Sequence, residues 1–100
     1  MNELTIHNNQ IQALCNLYNV KTLFTFGSVT TDKFHPDSDI DLIVDIDSTD
    51  PLDYSDNYFN LKFELERILK RQVDLLEQKA IKNPYLKQQI DQTKVLIYGK

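Results

Sequence analysis

The chain has 100 residues, enough for one small domain with a single hydrophobic core, and its 41% hydrophobic and 26% charged residues are typical of a globular protein in water. The net charge of −4 argues against a protein that follows nucleic-acid phosphates with a basic face. Cys15 is the one cysteine, which excludes an intrachain disulfide, and no apolar run is long enough to cross a bilayer, so we expect a cytoplasmic protein folded as a single domain over residues 1–100.

The first half of the chain predicts a helix followed by two strands. Apolar residues recur at near-helical spacing over residues 2–18, which predicts the first helix. The β-prone run 23–26 ends at Gly27 and predicts a strand with a turn after it, and the polar residues 29–38 predict a short helix and a loop. Over residues 39–47 the alternation of apolar and mostly acidic side chains predicts a second strand with two distinct faces.

The second half predicts a long helix, a third strand and a further helix. Asp50 and Pro51 are residue types preferred at a helix N-cap and at the first helical position. The helix that they begin carries a wide apolar stripe, and we expect its aromatic residues to lie in the core: Tyr54, Tyr58, Phe59 and Phe63. Residues 72–76 predict a strand, residues 83–92 predict a helix, and the apolar run 95–98 predicts a terminal segment that is extended or packed as a tail.

This order of elements predicts an α/β (α+β) fold, a small mixed β-sheet with helices packed on one face. The opposite face, near Asp39 and Asp41, is then free to hold chemistry. The chain has only two glycines, Gly27 and Gly99, so it contains neither a glycine-rich phosphate loop nor a dinucleotide-binding fingerprint.

Two carboxylates one residue apart open the second predicted strand. Asp39 and Asp41 point to the same side because alternate residues of a strand share a face. A cation relieves the repulsion between them, and Mg²⁺ prefers carboxylate oxygens and takes further ligands from phosphates. Asp74 lies in the third predicted strand, where its carboxylate can complete a triad. We therefore predict that these three aspartates are catalytic and bind metal.

The turn before this strand supplies the second half of the predicted site. Gly27 allows close approach of the backbone to a phosphate, and the hydroxyl and amide of Ser28 can donate hydrogen bonds to it. Lys33 and His35 in the intervening segment can add positive charge. Each residue alone has a plainer interpretation, as a strand-ending turn or a surface side chain. The spacing from the acidic pair favours nucleotide binding for Gly27 and Ser28, whereas Lys33 and His35 fit plain loop residues equally well.

The motif Gly27-Ser28, ten residues, Asp39-Ile40-Asp41 resembles the signature of the DNA polymerase β nucleotidyltransferase superfamily. The segment Val73-Asp74-Leu75-Leu76 is similar to the strand that carries the third carboxylate in that superfamily. The C-terminal segments Asn83-Pro84-Tyr85-Leu86 and Val95-Leu96-Ile97-Tyr98 resemble those of the minimal nucleotidyltransferases, the MNT-domain proteins that are often paired with HEPN-domain proteins in bacterial toxin–antitoxin modules.

This resemblance implies an activity, a partner and a role for each motif residue. Antitoxin members transfer AMP from ATP to a tyrosine of the HEPN toxin and form a hetero-oligomer with it. By position, Asp39 and Asp41 would bind two Mg²⁺ ions, and Asp74 would bind the catalytic ion and favour deprotonation of the acceptor oxygen. Gly27 and Ser28 would hold the β- and γ-phosphates.

The chain departs from the family pattern in one segment. Many minimal members have Ala-Arg-Gly where this chain has Thr30-Thr31-Asp32, so the phosphate-facing arginine is absent at Thr31, and Lys33 is a candidate replacement. This departure keeps a second hypothesis open, a catalytically weak binding module that neutralises the toxin by complex formation. A third hypothesis, transfer to a small antibiotic, is less favoured because a chain of this size has little room to enclose a small acceptor.

Overall fold

The computed structural model describes residues 4, 6–26 and 40–99. Within these ranges the regular elements are, in chain order, α1 (Asn8–Leu17), β1 (Val20–Phe26), β2 (Ile40–Ile46), α2 (Pro51–Leu69), β3 (Val73–Glu77), α3 (Pro84–Thr93) and β4 (Val95–Tyr98). A short 3-10 turn over Gln78–Ala80 follows β3. Among the helices in these ranges, none combines the length and the apolar character that crossing a membrane requires.

The four strands form one mixed sheet in the order β3-β2-β1-β4. Strand β1 is antiparallel to β2 and to β4, whereas β2 and β3 are parallel and are connected through α2. The predicted mixed sheet is therefore confirmed. For the run 95–98 the sequence predicted a terminal segment that is extended or packed as a tail. It forms the edge strand β4, whose Leu96 pairs with Phe24 of β1.

The side chains of Asp50 and Asn83 cap the N-termini of α2 and α3. Asp50 Oδ1 accepts a hydrogen bond from the backbone N–H of Leu52 at 2.9 Å, as the predicted N-cap of α2 requires. Asn83 Oδ1 accepts hydrogen bonds from the backbone N–H groups of Tyr85 at 2.9 Å and Leu86 at 3.3 Å. Both predicted helix starts are thus confirmed.

The main core lies between the sheet and the pair α1 and α2. The first face of the sheet, the one these helices cover, presents alternate residues of β2 to apolar side chains such as Ile11, Leu61 and Leu65. Cys15 belongs to this core and is fully buried, which raises the pKa of its thiol to about 12. This thiol packs as a small buried apolar group of the core.

Two aromatic residues of α2 do not join this core, contrary to the sequence prediction. Tyr54 and Tyr58 pack against it, but Phe59 and Phe63 are 53% and 62% exposed. Each phenylalanine lies two positions from Leu61, which is a rotation of about 200° around the helix axis. Because Leu61 faces the sheet, its two neighbours at that spacing face away from it.

The third helix covers the second face of the sheet, opposite α1 and α2. Ile90 of α3 is buried against Phe26 and Ile43, which alternate with the residues of the main core along their strands. The prediction that helices pack on one face therefore holds for α1 and α2 and is wrong for α3. The reason is that β1 and β2 place apolar side chains on the second face as well, and these need cover from water.

Candidate functional site

Two of the three predicted carboxylates lie side by side on the second face of the sheet. Strands β2 and β3 are paired in parallel with Asp41 opposite Asp74. The next residues along, Leu42 and Leu75, are buried in the main core, so both aspartates point to the other side. Asp41 is partly exposed and Asp74 is exposed. The predicted placement of Asp74 beside the acidic strand is confirmed.

Backbone hydrogen bonds at the start of both strands set this register. The N–H of Ile40 donates to the carbonyl oxygen of Gln72 at 3.1 Å. The N–H of Val73 donates to Glu66 Oε2 at 3.1 Å, which attaches the first residue of β3 to helix α2. The two aspartates that follow these residues are therefore held at the same level of the sheet.

Two hydroxyl groups, one on the buried Thr25 and one on the partly buried Tyr58, hold the backbone of β2 and β3 near the aspartates, and neither was predicted from the sequence. Thr25 Oγ1 donates to the carbonyl oxygen of Asp41 at 3.1 Å, and the hydroxyl of Tyr58 donates to the carbonyl oxygen of Leu75. Burial, and then the charges of Glu77 and Asp74, raise the pKa of Tyr58, so this donor keeps its proton. A hydroxyl group on the core face of a strand must find a hydrogen-bond acceptor. The position of Thr25 within an apolar strand was therefore the sequence feature that could have indicated this hydrogen bond.

The other predicted site residues lie outside the described residues: Gly27, Ser28, Lys33, His35 and Asp39. The described chain stops at Phe26, which is the pairing partner of Asp41, and resumes at Ile40. Both attachment points of the intervening segment are thus at the end of the sheet that carries the acidic pair. The nucleotide-binding roles of Gly27, Ser28 and Lys33 and the metal-binding role of Asp39 stay predictions.

The described aspartates fit a divalent cation by their chemistry. Residues paired on neighbouring strands are about 4.8 Å apart, so Asp41 and Asp74 present two hard oxygen ligands to one volume, as Mg²⁺ binding requires. Over residues 4, 6–26 and 40–99, no three potential ligand side chains form a cluster. The third predicted member, Asp39, lies outside these residues. Further along β2, Lys79 Nζ lies 3.6 Å from Asp45 Oδ1.

A cleft of about 350 Å³ lies between α3 and the second face of the sheet. Its lining residues are Phe24, Ile43, Gln78, Ile81, Lys87, Ile90, Asp91 and Lys94. Lys94 Nζ is 4.9 Å from the centre of the Phe24 ring and 3.2 Å from Asp91 Oδ1. Phe24 and Ile43 form the cleft floor, two residues or about 6.6 Å along their strands from Phe26 and Asp41. No pattern in the sequence predicts this cleft.

Comparison with known proteins places this geometry in a family. The family model described as "Polymerase beta, Nucleotidyltransferase" matches residues 9–100. The chain belongs to this family. As a nucleotidyltransferase it uses a nucleotide as substrate, and the resemblance identified from the Gly-Ser and acidic motifs is confirmed.

This nucleotidyltransferase is 40% identical over 81 residues to a candidate protein adenylyltransferase of Methanocaldococcus jannaschii, covering 81% of this chain and 78% of that protein. A chain in the crystal structure of a toxin–antitoxin with AMP-PNP is 25% identical in sequence, with a TM-score of 0.72 over 93% of this chain and 73% of that one. A chain in the solved structure of a tri-AMPylated Shewanella oneidensis HEPN toxin in complex with MNT antitoxin is 22% identical, with a TM-score of 0.66 over 96% of this chain and 72% of that one. The last comparison shows a shared fold.

Proposed function

We propose that this nucleotidyltransferase transfers AMP from ATP to a tyrosine hydroxyl of a HEPN-type toxin and acts as its antitoxin. The observation that carries the proposal is the pairing of Asp41 with Asp74 on the second face of the sheet. The 40% identity to a candidate protein adenylyltransferase and the likeness to an antitoxin structure with AMP-PNP support adenylyl transfer. A protein acceptor also suits a small domain, because the docked partner itself covers the part of the active site that so small a domain leaves open to water.

The proposed reaction is a single displacement at the α-phosphorus of ATP. The acceptor oxygen forms a bond to the α-phosphorus, the bond from that phosphorus to the bridging oxygen breaks, and pyrophosphate leaves. The proton of the acceptor hydroxyl passes to a carboxylate oxygen of Asp74, which is exposed beside Asp41. Gly27 and Ser28 orient the β- and γ-phosphates from the segment that follows Phe26.

Asp39, Asp41 and Asp74 would hold the two Mg²⁺ ions of this reaction. Bound magnesium neutralises phosphate charge and makes the acceptor oxygen more acidic. The chain itself fixes the direction of two of these ligands, because hydrogen bonds from Thr25 and to Glu66 hold the backbone beside them. The carboxylates are therefore set in place before substrates arrive, which lowers the reorganisation that the reaction requires.

The cleft under α3 is the proposed position of the nucleoside of ATP. Its floor is apolar and includes an aromatic ring, and Lys87 and Lys94 line it together with Gln78. Such a mixture of an apolar floor and a few polar groups is typical of small-molecule sites. Its floor residues lie on the same strands as Phe26 and Asp41, so one nucleotide can reach from the cleft to the acidic pair.

We expect Lys94→Ala to raise the KM for ATP about threefold to tenfold with little change in kcat, because it removes a contact made before the reaction. Initial rates at varied ATP concentration measure this effect. Lys82→Ala is the matched control, because Lys82 is exposed and does not line the cleft. A changed KM for the acceptor with an unchanged KM for ATP would instead place the acceptor in the cleft.

The proposed activity is tested with the purified protein and a HEPN-domain protein encoded beside it. With Mg²⁺ and ATP labelled at the α-phosphate, we expect label on the partner, and with ATP labelled at the γ-phosphate we expect none. Chelation of the metal and replacement of the acceptor tyrosine by phenylalanine should each abolish labelling. Label from the γ-phosphate would identify a kinase and contradict the proposal.

A second candidate function is neutralisation of the toxin by binding alone. Thr31 favours it, because many family members have a phosphate-facing arginine at this position and its absence would weaken catalysis. The two functions separate in one variant, Asp39→Ala with Asp41→Ala. If binding alone neutralises the toxin, this variant protects cells as well as the wild type does. If AMP transfer is required, it binds the toxin and fails to protect.

A further inference from the structure

An apolar stripe runs along the side of α2 that faces away from the sheet. Leu52, Phe59 and Phe63 are 76%, 53% and 62% exposed. At spacings of seven and four residues, these side chains follow one another along a single face of the helix. We call this surface the outer face of α2. Two exposed phenylalanines one helical turn apart form a contiguous apolar patch of the kind that marks interaction sites.

Charged residues continue this face toward both ends of the helix. Asp56 lies between Leu52 and Phe59, whereas Arg67 and then Lys70 follow Phe63, and all three are exposed. The face is therefore acidic on its N-terminal side and basic on its C-terminal side. The side chain of Arg67 is 68% exposed, although it also pairs with Glu64 on its own helix at 2.7 Å.

We propose that the outer face of α2 binds the same face of a second copy of this chain, with the two helices antiparallel. A twofold axis between Phe59 and Phe63 places each of these rings against the other ring of the second copy. The same axis places Asp56 beside Arg67 of the second copy. Lys70 then lies over Leu52 of the second copy, where its aliphatic stem covers apolar surface and its charge stays in water.

The order of residue types on this face selects the antiparallel arrangement. Read from either end, the face passes through a charged residue, two phenylalanines and a charged residue of opposite sign. Antiparallel helices bring opposite charges together at both ends, whereas parallel helices would bring Asp56 beside its own copy and Arg67 beside its own copy. Charge complementarity of this kind steers association and suppresses the wrong arrangement.

This dimer leaves the candidate catalytic site open. The buried side of α2 packs on the first face of the sheet through Leu61 and Leu65. Asp41, Asp74 and the cleft under α3 belong to the second face. Two copies joined through α2 therefore direct their catalytic faces away from each other, and each copy can accept a nucleotide and a large acceptor.

One pair of helices buries less surface than a standard interface of about 800 Å² per partner, so we expect a reversible dimer with a Kd on the order of micromolar. Sedimentation velocity over a range of protein concentrations measures it. We expect the mass to rise with concentration from 11.7 kDa toward twice that value. Phe59→Ser with Phe63→Ser should keep the protein monomeric throughout, with unchanged circular dichroism.

Charge reversal gives a sharper test, because it predicts rescue. Asp56→Arg alone and Arg67→Asp alone should each weaken dimerisation at least about tenfold, since each creates like charges at both ends of the interface. An equimolar mixture of these two variants should dimerise again, because every introduced charge then meets its opposite. The double variant, with both substitutions in one chain, should dimerise as the wild type does and serves as the folding control.

Several outcomes would overturn the proposal. A wild-type chain that stays monomeric at high concentration would exclude self-association through any surface. Dimers that survive the two serine substitutions would place the interface elsewhere. Serine substitutions that instead weaken binding of a partner toxin, with a monomeric wild type, would assign the outer face of α2 to that partner.

Discussion

Asp41→Asn and Asp74→Asn are each expected to lower kcat for AMP transfer by about 10²- to 10³-fold, the usual loss when one electrostatic contact to the transition state is removed. Both substitutions keep the size of the side chain and remove its charge, so they weaken metal binding and, at Asp74, proton acceptance. Steady-state rates with α-labelled ATP at saturating Mg²⁺ measure the change. The KM for ATP should rise less than kcat falls.

Asp45→Asn is the matched control for this prediction. Asp45 lies on the same strand as Asp41 but contacts Lys79, and it is not part of the paired acidic site. Its substitution should change kcat by less than about twofold, because loss of a partly exposed ion pair has a small effect. Equal losses in the Asp41 and Asp45 variants would show that the assay reports net charge or stability and would contradict the assignment.

Leu65→Ala is expected to lower the free energy of unfolding by about 2–5 kcal/mol, because it leaves a cavity in the main core. Leu65 is fully buried between α2 and the sheet. Against a typical total stability of about 5–15 kcal/mol, this loss removes a large fraction. Urea titration followed by circular dichroism measures it, at a protein concentration low enough to avoid association.

Phe63→Ala is the control for the core substitution and removes the larger side chain. Because Phe63 points away from the sheet, we expect it to change the free energy of unfolding by no more than about 0.5 kcal/mol. The sequence pattern alone, which placed Phe63 in the core, predicts a loss similar to that of Leu65. A loss of several kcal/mol at Phe63 would therefore contradict the observed orientation of α2.

Local patterns in the sequence were sufficient to predict most elements of the fold. The alternation over residues 39–47 predicted β2, and Asp50 and Asn83 predicted the starts of α2 and α3, because capping depends on a few neighbouring atoms. The adjacency of Asp41 and Asp74 was also predicted. That inference required a sheet in which two carboxylate-bearing strands are neighbours, and the parallel pairing confirms it.

What the sequence did not predict depends on packing between distant elements. The apolar residues of α2 form two groups on roughly opposite sides of the helix, so only the position of the sheet decides that Leu61 is buried and Phe59 exposed. The four apolar residues 95–98 have no period that separates a strand from a packed tail. The cleft needs α3 on the second face of the sheet, and no local pattern specifies which face a helix covers.

The parallel register of β2 and β3 makes the acidic pair an all-or-none feature. A slip of β3 by one residue would turn Asp74 toward the core and bring Val73 or Leu75 beside Asp41, because successive residues of a strand face opposite sides. No intermediate register offers a weaker version of the pair. Substitutions that remove the contacts that set the register, such as the hydrogen bond from Val73 to Glu66, would therefore lower the fraction of molecules that carry the acidic pair. The molecules that keep the correct register would react at the normal rate.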